Sequence, residues 1–430
     1  MNNGLLMLIV LVAAIAIGFI TNINTGVISL GLAYLFGSFL LGIKPGTIQG
    51  YWPAKIFFVL FTVSFFYNYA TNNGTLDKLA KLILYKFGRS ARMLPFILMV
   101  VAWVMAAAGA GPYSIIALLA PISFIICDSI GMNKVLAGLA VYFGAVAGGM
   151  SPTCSTGATG MSIIASTGYD AEAMSYQLVV LLVATIVFLI DLIIVYFVFK
   201  GNKVDAKAIA FERPEAFDDK QRKSLWLIGI FVVVLLLPFI LKLIFPGSGF
   251  IKTLAANNDV AFTAILLSVV AAFLKVGDEK KAIMSVPWTT IVMVCGISIL
   301  VSVAVQAGTI DLIVNAVTSI ENPSVITILM TLGAGIMSIF SSTTGVVLPT
   351  LYPTVPAISS AAGIIPGLLF AAICTGSIST GMSPFSACGG ILLGCVKEED
   401  VKPMYKALLV IPFAALVIGA LAIAVMILVF

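Results

Sequence analysis

The chain has 430 residues, 61% of them apolar and only 10% charged, with a net charge of +5 and a mean hydropathy of +1.17. A soluble domain is typically about half apolar and a quarter charged, so this composition excludes a soluble enzyme or a nucleic-acid-binding module and leaves an integral membrane protein. Histidine is absent, which excludes histidine proton relays and histidine metal sites, and the six cysteines show no C-x-x-C spacing and read as small membrane-buried residues.

In chain order, the first apolar run (4–20) has no basic residue before it and is predicted to be a retained helix, not a cleaved signal. Segments 25–43 and 54–72 read as simple crossings, followed by a short amphipathic segment, 75–89, that opens on Gly74-Thr75-Leu76-Asp77. Segment 93–127 is interrupted by Gly109-Ala110-Gly111-Pro112. Each side of that break is about 15 residues, roughly 22 Å of helix, short of the ~30 Å hydrocarbon core. The spacing predicts a re-entrant hairpin that enters, turns at a glycine tip and leaves on the same side. Segment 134–166 carries Gly149-Met150-Ser151-Pro152 and is predicted to be one crossing with an unwound centre, since proline removes a donor and restricts its predecessor. Segment 176–199 completes the first half, and a charged stretch, 200–223, leads into the second.

The second half repeats the series: crossings 224–245, 258–275 and 287–306, an amphipathic segment 309–320, a hairpin 323–356, a broken span 362–395 and a last span 405–429. Its hairpin tip is Ser341-Ser342-Thr343-Thr344-Gly345. Two phrases recur, Gly308-Thr309-Ile310-Asp311 and Gly381-Met382-Ser383-Pro384, lying 234 and 232 residues beyond their first copies. Five crossings per half is an odd number, so the second copy must be inverted. The predicted fold is therefore all-α and membrane-integral, with inverted repeats 1–199 and 224–430 joined by a cytoplasmic linker, 200–223. With the N-terminus outside, 19 of the 23 basic residues fall on the inner side and only Lys44, Lys55, Lys242 and Lys252 outside, the pattern of a multi-pass plasma-membrane protein. The two hairpins then enter from opposite faces and their tips meet near mid-membrane.

Backbone polar groups at that depth are costly unless they line a cavity or meet a partner. Paired breaks in corresponding positions of two halves point to a transporter binding site. Helix N-termini and hydroxyls suit an anion; the candidates are Gly111, Pro112, Ser151, Pro152, Thr153, Ser342, Thr343, Thr344, Ser383, Pro384 and Ser386, with Ser155 and Thr156 nearby. Unwound carbonyls and helix C-termini suit sodium, at Gly109, Ala110, Gly149, Ser151, Ser341, Ser342, Gly381 and Met382. No Arg or Lys falls at any break, so an anion would be held by dipoles, hydroxyls and co-bound cations, which favours cation-coupled uptake. A single Gly, Ser or Pro in a membrane helix is more often a packing or kink residue; the symmetric pairing is what argues for a site. Asp191, inside segment 176–199, reads either as a proton carrier or as a buried helix-to-helix hydrogen bond. Asp128 sits near the inner end of the first hairpin, and Asp77 and Asp311 read as helix-start residues. A passive channel would have no need of two gates at one site, and a membrane enzyme would need a nucleophile–base pattern that the sequence lacks.

At Asn73-Gly74-Thr75-Leu76-Asp77, Gly109-Ala110-Gly111-Pro112 and Ala147-Gly148-Gly149-Met150-Ser151-Pro152 the chain resembles the ion transporter superfamily that contains the divalent anion/sodium symporters. It is most similar to the malonate-carrier (MatC-type) dicarboxylate branch. The resemblance implies an elevator: a scaffold (1–72 and 224–306) and moving transport elements (93–166 and 323–395). It also implies a homodimer, with 1–43 and 224–275 as scaffold candidates, a C3/C4 dicarboxylate as substrate, and sodium as coupling ion with no organic cofactor. Ser151-Pro152 and Ser383-Pro384 stand where those symporters have Thr-Pro pairs, and the hairpin tips where they carry Ser-Asn-Thr. Here the first tip has no hydroxyl or amide and the second lacks the asparagine, which points specificity away from the best-known tricarboxylate or succinate carriers.

Overall fold

The computed structural model describes residues 3–21, 23–87, 91–204, 214–245, 248–309, 312, 315, 320, 322–339, 342–384 and 386–429. Among these residues there are helices and turns and no strands. The first half runs α1 (Asn3–Thr21), α2 (Thr25–Phe39), the short α3 (Pro45–Gly50), α4 (Ala54–Asn72) and the amphipathic α5 (Thr75–Phe87). It continues with a hairpin of α6 (Leu94–Ala107) and α7 (Pro112–Ile130), a broken pair α8 (Lys134–Gly149) and α9 (Ser155–Ser166), and α10 (Ala173–Val198). The second half has α11 (Asp219–Ile244), α12 (Gly249–Ala256), α13 (Val260–Phe273), α14 (Glu279–Met284) and α15 (Trp288–Gln306). It ends with the hairpin α16 (Pro323–Ile339) and α17 (Thr343–Ala362), the pair α18 (Pro366–Thr380) and α19 (Ala387–Cys395), and α20 (Glu398–Val429). The predicted segment 309–320, with Asp311, lies mostly outside the described residues.

Local chemistry explains the boundaries. Asn24, Asn133, Asp218, Ser248, Asp259 and Asp278 cap the N-termini of α2, α8, α11, α12, α13 and α14 with their side-chain oxygens. The glycines Gly131 (φ +66°) and Gly363 (φ +67°) close α7 and α17 in the left-handed conformation, again 232 positions apart. α10, α15 and α20 are each long and apolar enough to cross a bilayer alone, and α16 and α17 fold back on each other with a bend of 117°. The hairpin arms are unequal, unlike the even halves expected: α6 has 14 residues and α7 has 19, about 21 and 28 Å. The second arms continue past internal prolines, Pro121 in α7 and Pro349, Pro353 and Pro356 in α17, and end at their left-handed glycines.

Side-chain pairings give the helix directions. α2 and α15 run side by side in the same sense, since Asn24 donates to the Thr289 carbonyl near both N-termini and Gly37 meets Val303 further along. α4 and α13 do likewise, through Phe58–Phe262 and then Tyr69 with Gly277 just past α13. Thus the second span of each half lies along the third span of the other. α8 and α18 cross antiparallel at the centre: Tyr142 donates to the Ile378 carbonyl at 2.5 Å, and the Cys374 thiol contacts Met150 sulfur at 3.3 Å. Nearly every side chain of these two helices is buried.

Two close backbone approaches repeat at one offset. A Cβ at Gly144 (α8) would lie 2.1 Å from the Met99 carbonyl of α6, and one at Gly376 (α18) 2.1 Å from the Thr331 carbonyl of α16. Both residues of the second contact stand 232 positions after those of the first. By contrast, α1, α2, α10, α11, α13 and α20 expose large apolar side chains, Phe39, Phe197, Trp226, Phe273 and Val410 among them. Such a surface suits hydrocarbon as solvent, and the architecture is that of a multi-pass membrane protein.

Candidate functional site

The two hairpin tips and the two breaks converge on an inner cavity of about 220 Å³. Its walls come from the N-terminal ends of α7 (Pro112, Tyr113), α9 (Thr156), α17 (Ser342, Thr343, Thr344) and α19 (Ser386, Ala387, Cys388). Tyr142, Val146 and Met150 of α8, Ser338 of α16, and Ile378 and Gly381 complete it. A second cavity of about 210 Å³ adjoins it on the side of α4 and α15. That one is lined by Tyr67, Asn68 and Thr71 of α4, Gly109, Gly111 and Ser114 of the hairpin, Ser155 and Thr159 of α9, and Ser285 and Thr290. Neither lining includes a charged side chain.

Of the predicted anion ligands, Pro112, Ser342, Thr343, Thr344 and Ser386 line the inner cavity, while Gly111 lines the outer one. Ser151, Pro152, Thr153, Ser383 and Pro384 line neither. The Thr153 hydroxyl donates to the Ala107 carbonyl at 2.5 Å and lies 2.6 Å from the Ser151 hydroxyl, so this pair ties the unwound centre to the end of α6. Of the predicted sodium ligands, Gly381 faces the inner cavity and Gly109 the outer, whereas Ala110, Gly149 and Met382 line neither. Ser341 lies outside the described residues. Among the described residues no group of three or more acidic, Cys or His side chains gathers into a metal site, so any cation here would rely on carbonyls and hydroxyls.

The four helix starts are not equivalent. The Ser342 hydroxyl accepts from Gly345 N at 3.1 Å, capping α17, and Ser386 accepts from Gly389 N at 3.1 Å, capping α19. The Ser386 hydroxyl also donates toward the carbonyls of Gly381 and Ser383, at 2.6 and 2.8 Å. α7 starts from Gly111 and α9 from Cys154, neither with an oxygen cap. Pro112 brings no N–H, and the Thr156 and Gly157 amides face only the Cys154 sulfur, a weak acceptor, so the N–H groups of these first turns can still serve an anion. Gln177 of α10 donates to the unwound Met150 carbonyl at 2.7 Å, satisfying a group that would be costly if left bare.

Sequence reasoning missed Tyr113, Tyr142, Ser338, Met150 and Cys388. A signal existed for Tyr113, the first residue after the glycine–proline tip. Another existed in Gly157 and Gly389, each six residues after the repeated serine. A Cβ at either would lie 2.0 Å from the carbonyl oxygen of Ser151 or Ser383, so each break folds back onto the first turn of its next helix. Asp191 is 2% exposed, and neither carboxylate oxygen has a hydrogen-bond partner among the described residues. Its two sequence readings part here: no helix-to-helix hydrogen bond forms.

Residues 1–149 match the family model described as the N-terminus of the dicarboxylate carrier protein MatC. The matched stretch includes Asn73–Asp77 and Gly109–Pro112. No curated protein matches the chain. Among solved structures, the Alcanivorax borkumensis YdaH transporter is similar over 92% of this chain and 88% of its own, with a TM-score of 0.58 and 16% identity. Neisseria gonorrhoeae MtrF, described with a class of antimetabolite efflux pumps, is similar over 89% of this chain and 83% of its own, with a TM-score of 0.61 and 14% identity. The chain thus has the fold of membrane transporters, and its first third matches a dicarboxylate-carrier family; these relatives are transporters and not enzymes.

Proposed function

We propose that this protein is a secondary active transporter that takes up a small dicarboxylate, of three or four carbons, with sodium. The observation that carries this reading is the inner cavity, where helix starts from both hairpins and both breaks surround a space without a charged side chain. A space of about 220 Å³ is below the roughly 300–1,000 Å³ of drug-sized pockets, which suits a short diacid. One carboxylate would meet the uncapped starts of α7 and α9. The absence of Arg and Lys in the lining favours a co-bound cation, held by carbonyls such as Gly381 and by the tip hydroxyls.

The antiparallel crossing of α8 and α18, the reciprocal pairing of α2 with α15 and α4 with α13, and the contacts repeated at one offset all support two inverted repeats. On that basis residues 1–72 and 224–306 form a scaffold, and 93–166 with 323–395 move as an elevator, the outer helices of 1–43 and 224–275 making a homodimer. Contacts among inner-side residues support the orientation. Lys134 bridges Asp128 and Asp400, Lys397 pairs with Asp128, and Lys78 and Arg92 donate to carbonyls of the linker region. These basic groups cluster where a cytoplasmic face of a plasma-membrane protein would be.

A second reading, proton coupling through Asp191, is favoured by one observation, its buried and unpartnered carboxylate. Uptake of labelled malonate and succinate into proteoliposomes separates the two. Accumulation driven by an inward sodium gradient, but not by equal potassium, supports the first. Accumulation driven by a pH gradient alone, and lost in Asp191→Asn, supports the second. No accumulation of either acid under any gradient overturns the substrate assignment.

A further inference from the structure

The inner and outer cavities share four residues, Pro112, Tyr113, Thr156 and Thr344. Three of them leave little to move. Pro112 is wedged against α8, where a Cβ at Gly149 would lie 2.8 Å from its ring, and the two threonines are short. Tyr113 is the only large side chain of the four. It sits at the head of α7, between cavities inside the bundle, yet remains 48% exposed. Its ring therefore borders cavity space on both sides, while its hydroxyl end is buried. Its hydroxyl end interacts with the Ser342 side chain, which caps α17, so the ring spans from one hairpin tip to the other.

The position gives the ring a consequence. The inner cavity is walled only by hairpins and broken helices, whereas the outer one also takes residues from α4 and from 285–290. Between a solute held against α4 and the inner chamber stands this ring, with Pro112, Thr156 and Thr344 beside it. We propose that the Tyr113 ring is the wall between the two chambers and that it sets the length of anion the inner one accepts. The second clause rests on the dicarboxylate reading above; the first does not. With the ring gone, the two chambers of about 220 and 210 Å³ join into one hydroxyl-lined space.

Two readouts on purified full-length protein test this, using wild type, Tyr113→Ala and Tyr113→Phe. The first is N-ethylmaleimide labelling of Cys388, which lines the inner cavity, followed by mass spectrometry with the half-buried Cys395 as internal reference. Reaction of a guarded group tracks how often its path is open, so Tyr113→Ala should label about tenfold faster at Cys388 and unchanged at Cys395. Tyr113→Phe keeps the ring and should label like wild type. Equal rates in wild type and Tyr113→Ala, or a Phe variant as fast as Ala, overturn the wall. The second readout is the affinity for malonate, succinate, glutarate and adipate. One methylene in a fitted pocket is worth roughly 10-fold or more, so Tyr113→Ala should gain about that factor for the longer acids relative to malonate. Faster labelling with an unchanged order of acids overturns the size selection. If wild type binds none of the acids while labelling behaves as stated, the dicarboxylate reading falls and the wall stands.

Discussion

Gly109 at the first hairpin tip is a position where one added methyl should be costly twice over, through its backbone angle and through a side-chain clash. Its φ is +101°, and a Cβ there would lie 1.9 Å from two ring atoms of Tyr67 on α4. Ordinary contact begins near 3.4 Å, so the ring or the tip would have to move by about 1.5 Å. The ring is not free to yield, because it packs edge-on against Phe66 and Phe231. A Cβ in the left-handed region costs roughly 1–2 kcal/mol and overpacking typically 1–3 kcal/mol, so Gly109→Ala should destabilise by about 2–5 kcal/mol. Tyr67→Ala alone should cost about 3–5 kcal/mol, as an aromatic deleted from a core does. The double variant should fall short of the sum by about 1–3 kcal/mol, since removing the ring removes the clash but not the backbone strain. Unfolding of purified protein in detergent, followed by tryptophan fluorescence, measures all three. Full additivity, or a Gly109→Ala variant as stable as wild type, would refute the tip–ring contact.

Other outcomes follow from single contacts. Ser386→Ala should cost about 0.5–2 kcal/mol as a lost N-cap and lower uptake more than it lowers expression, both read in the same preparation. Thr153→Val leaves the Ala107 carbonyl without its donor at a partly buried site, a cost of about 1 kcal/mol; hydrogen exchange should quicken in residues 107–111 and not in α20. Lys134→Met takes the bridging cation from Asp400 and leaves Asp128 with Lys397 alone; its loss in thermal midpoint should shrink at about 1 M salt, where the screening length is near 3 Å, and a salt-independent loss would show that packing was responsible. Asp191→Asn should retain sodium-driven malonate uptake; abolition would move the coupling to that carboxylate.

Much of the architecture was legible because membrane helices announce themselves by apolar length and by where that length is interrupted. Gly109–Pro112 and the two Gly-Met-Ser-Pro phrases sit at tips and breaks, since backbone that leaves the helix at such depth needs residues that tolerate it. The hydroxyls nearest those prolines were harder to assign. Ser151 and Thr153 have the same chemistry as Ser342 and Thr344, yet the first two are consumed holding the break to α6 while the second two face the cavity. Spacing along the chain does not say which way a hydroxyl in an unwound turn will point. Tyr113 was marked only by its place after the glycine–proline tip, and Tyr142 carried no signal of its own, because a tyrosine in a membrane segment is most often an interfacial or packing residue.

The sequence by itself determined an all-helical membrane chain with matched interruptions in its two halves, because hydrophobic length and backbone-breaking residues act locally and need no partner to be read. It also determined that any site at those interruptions lacks a fixed cation, since no Arg or Lys is there to supply one. Only the tertiary structure decided that α8 and α18 cross antiparallel at the centre, that the helix starts of the second half are capped by their own serines while those of the first are open, and that one tyrosine ring separates two chambers. The crossing, and the reach of the Tyr113 ring to Ser342, join groups more than 200 residues apart, and such contact is set by packing that no local pattern encodes. The serine caps are local, but which hydroxyl turns back onto its own helix is decided by the space around it.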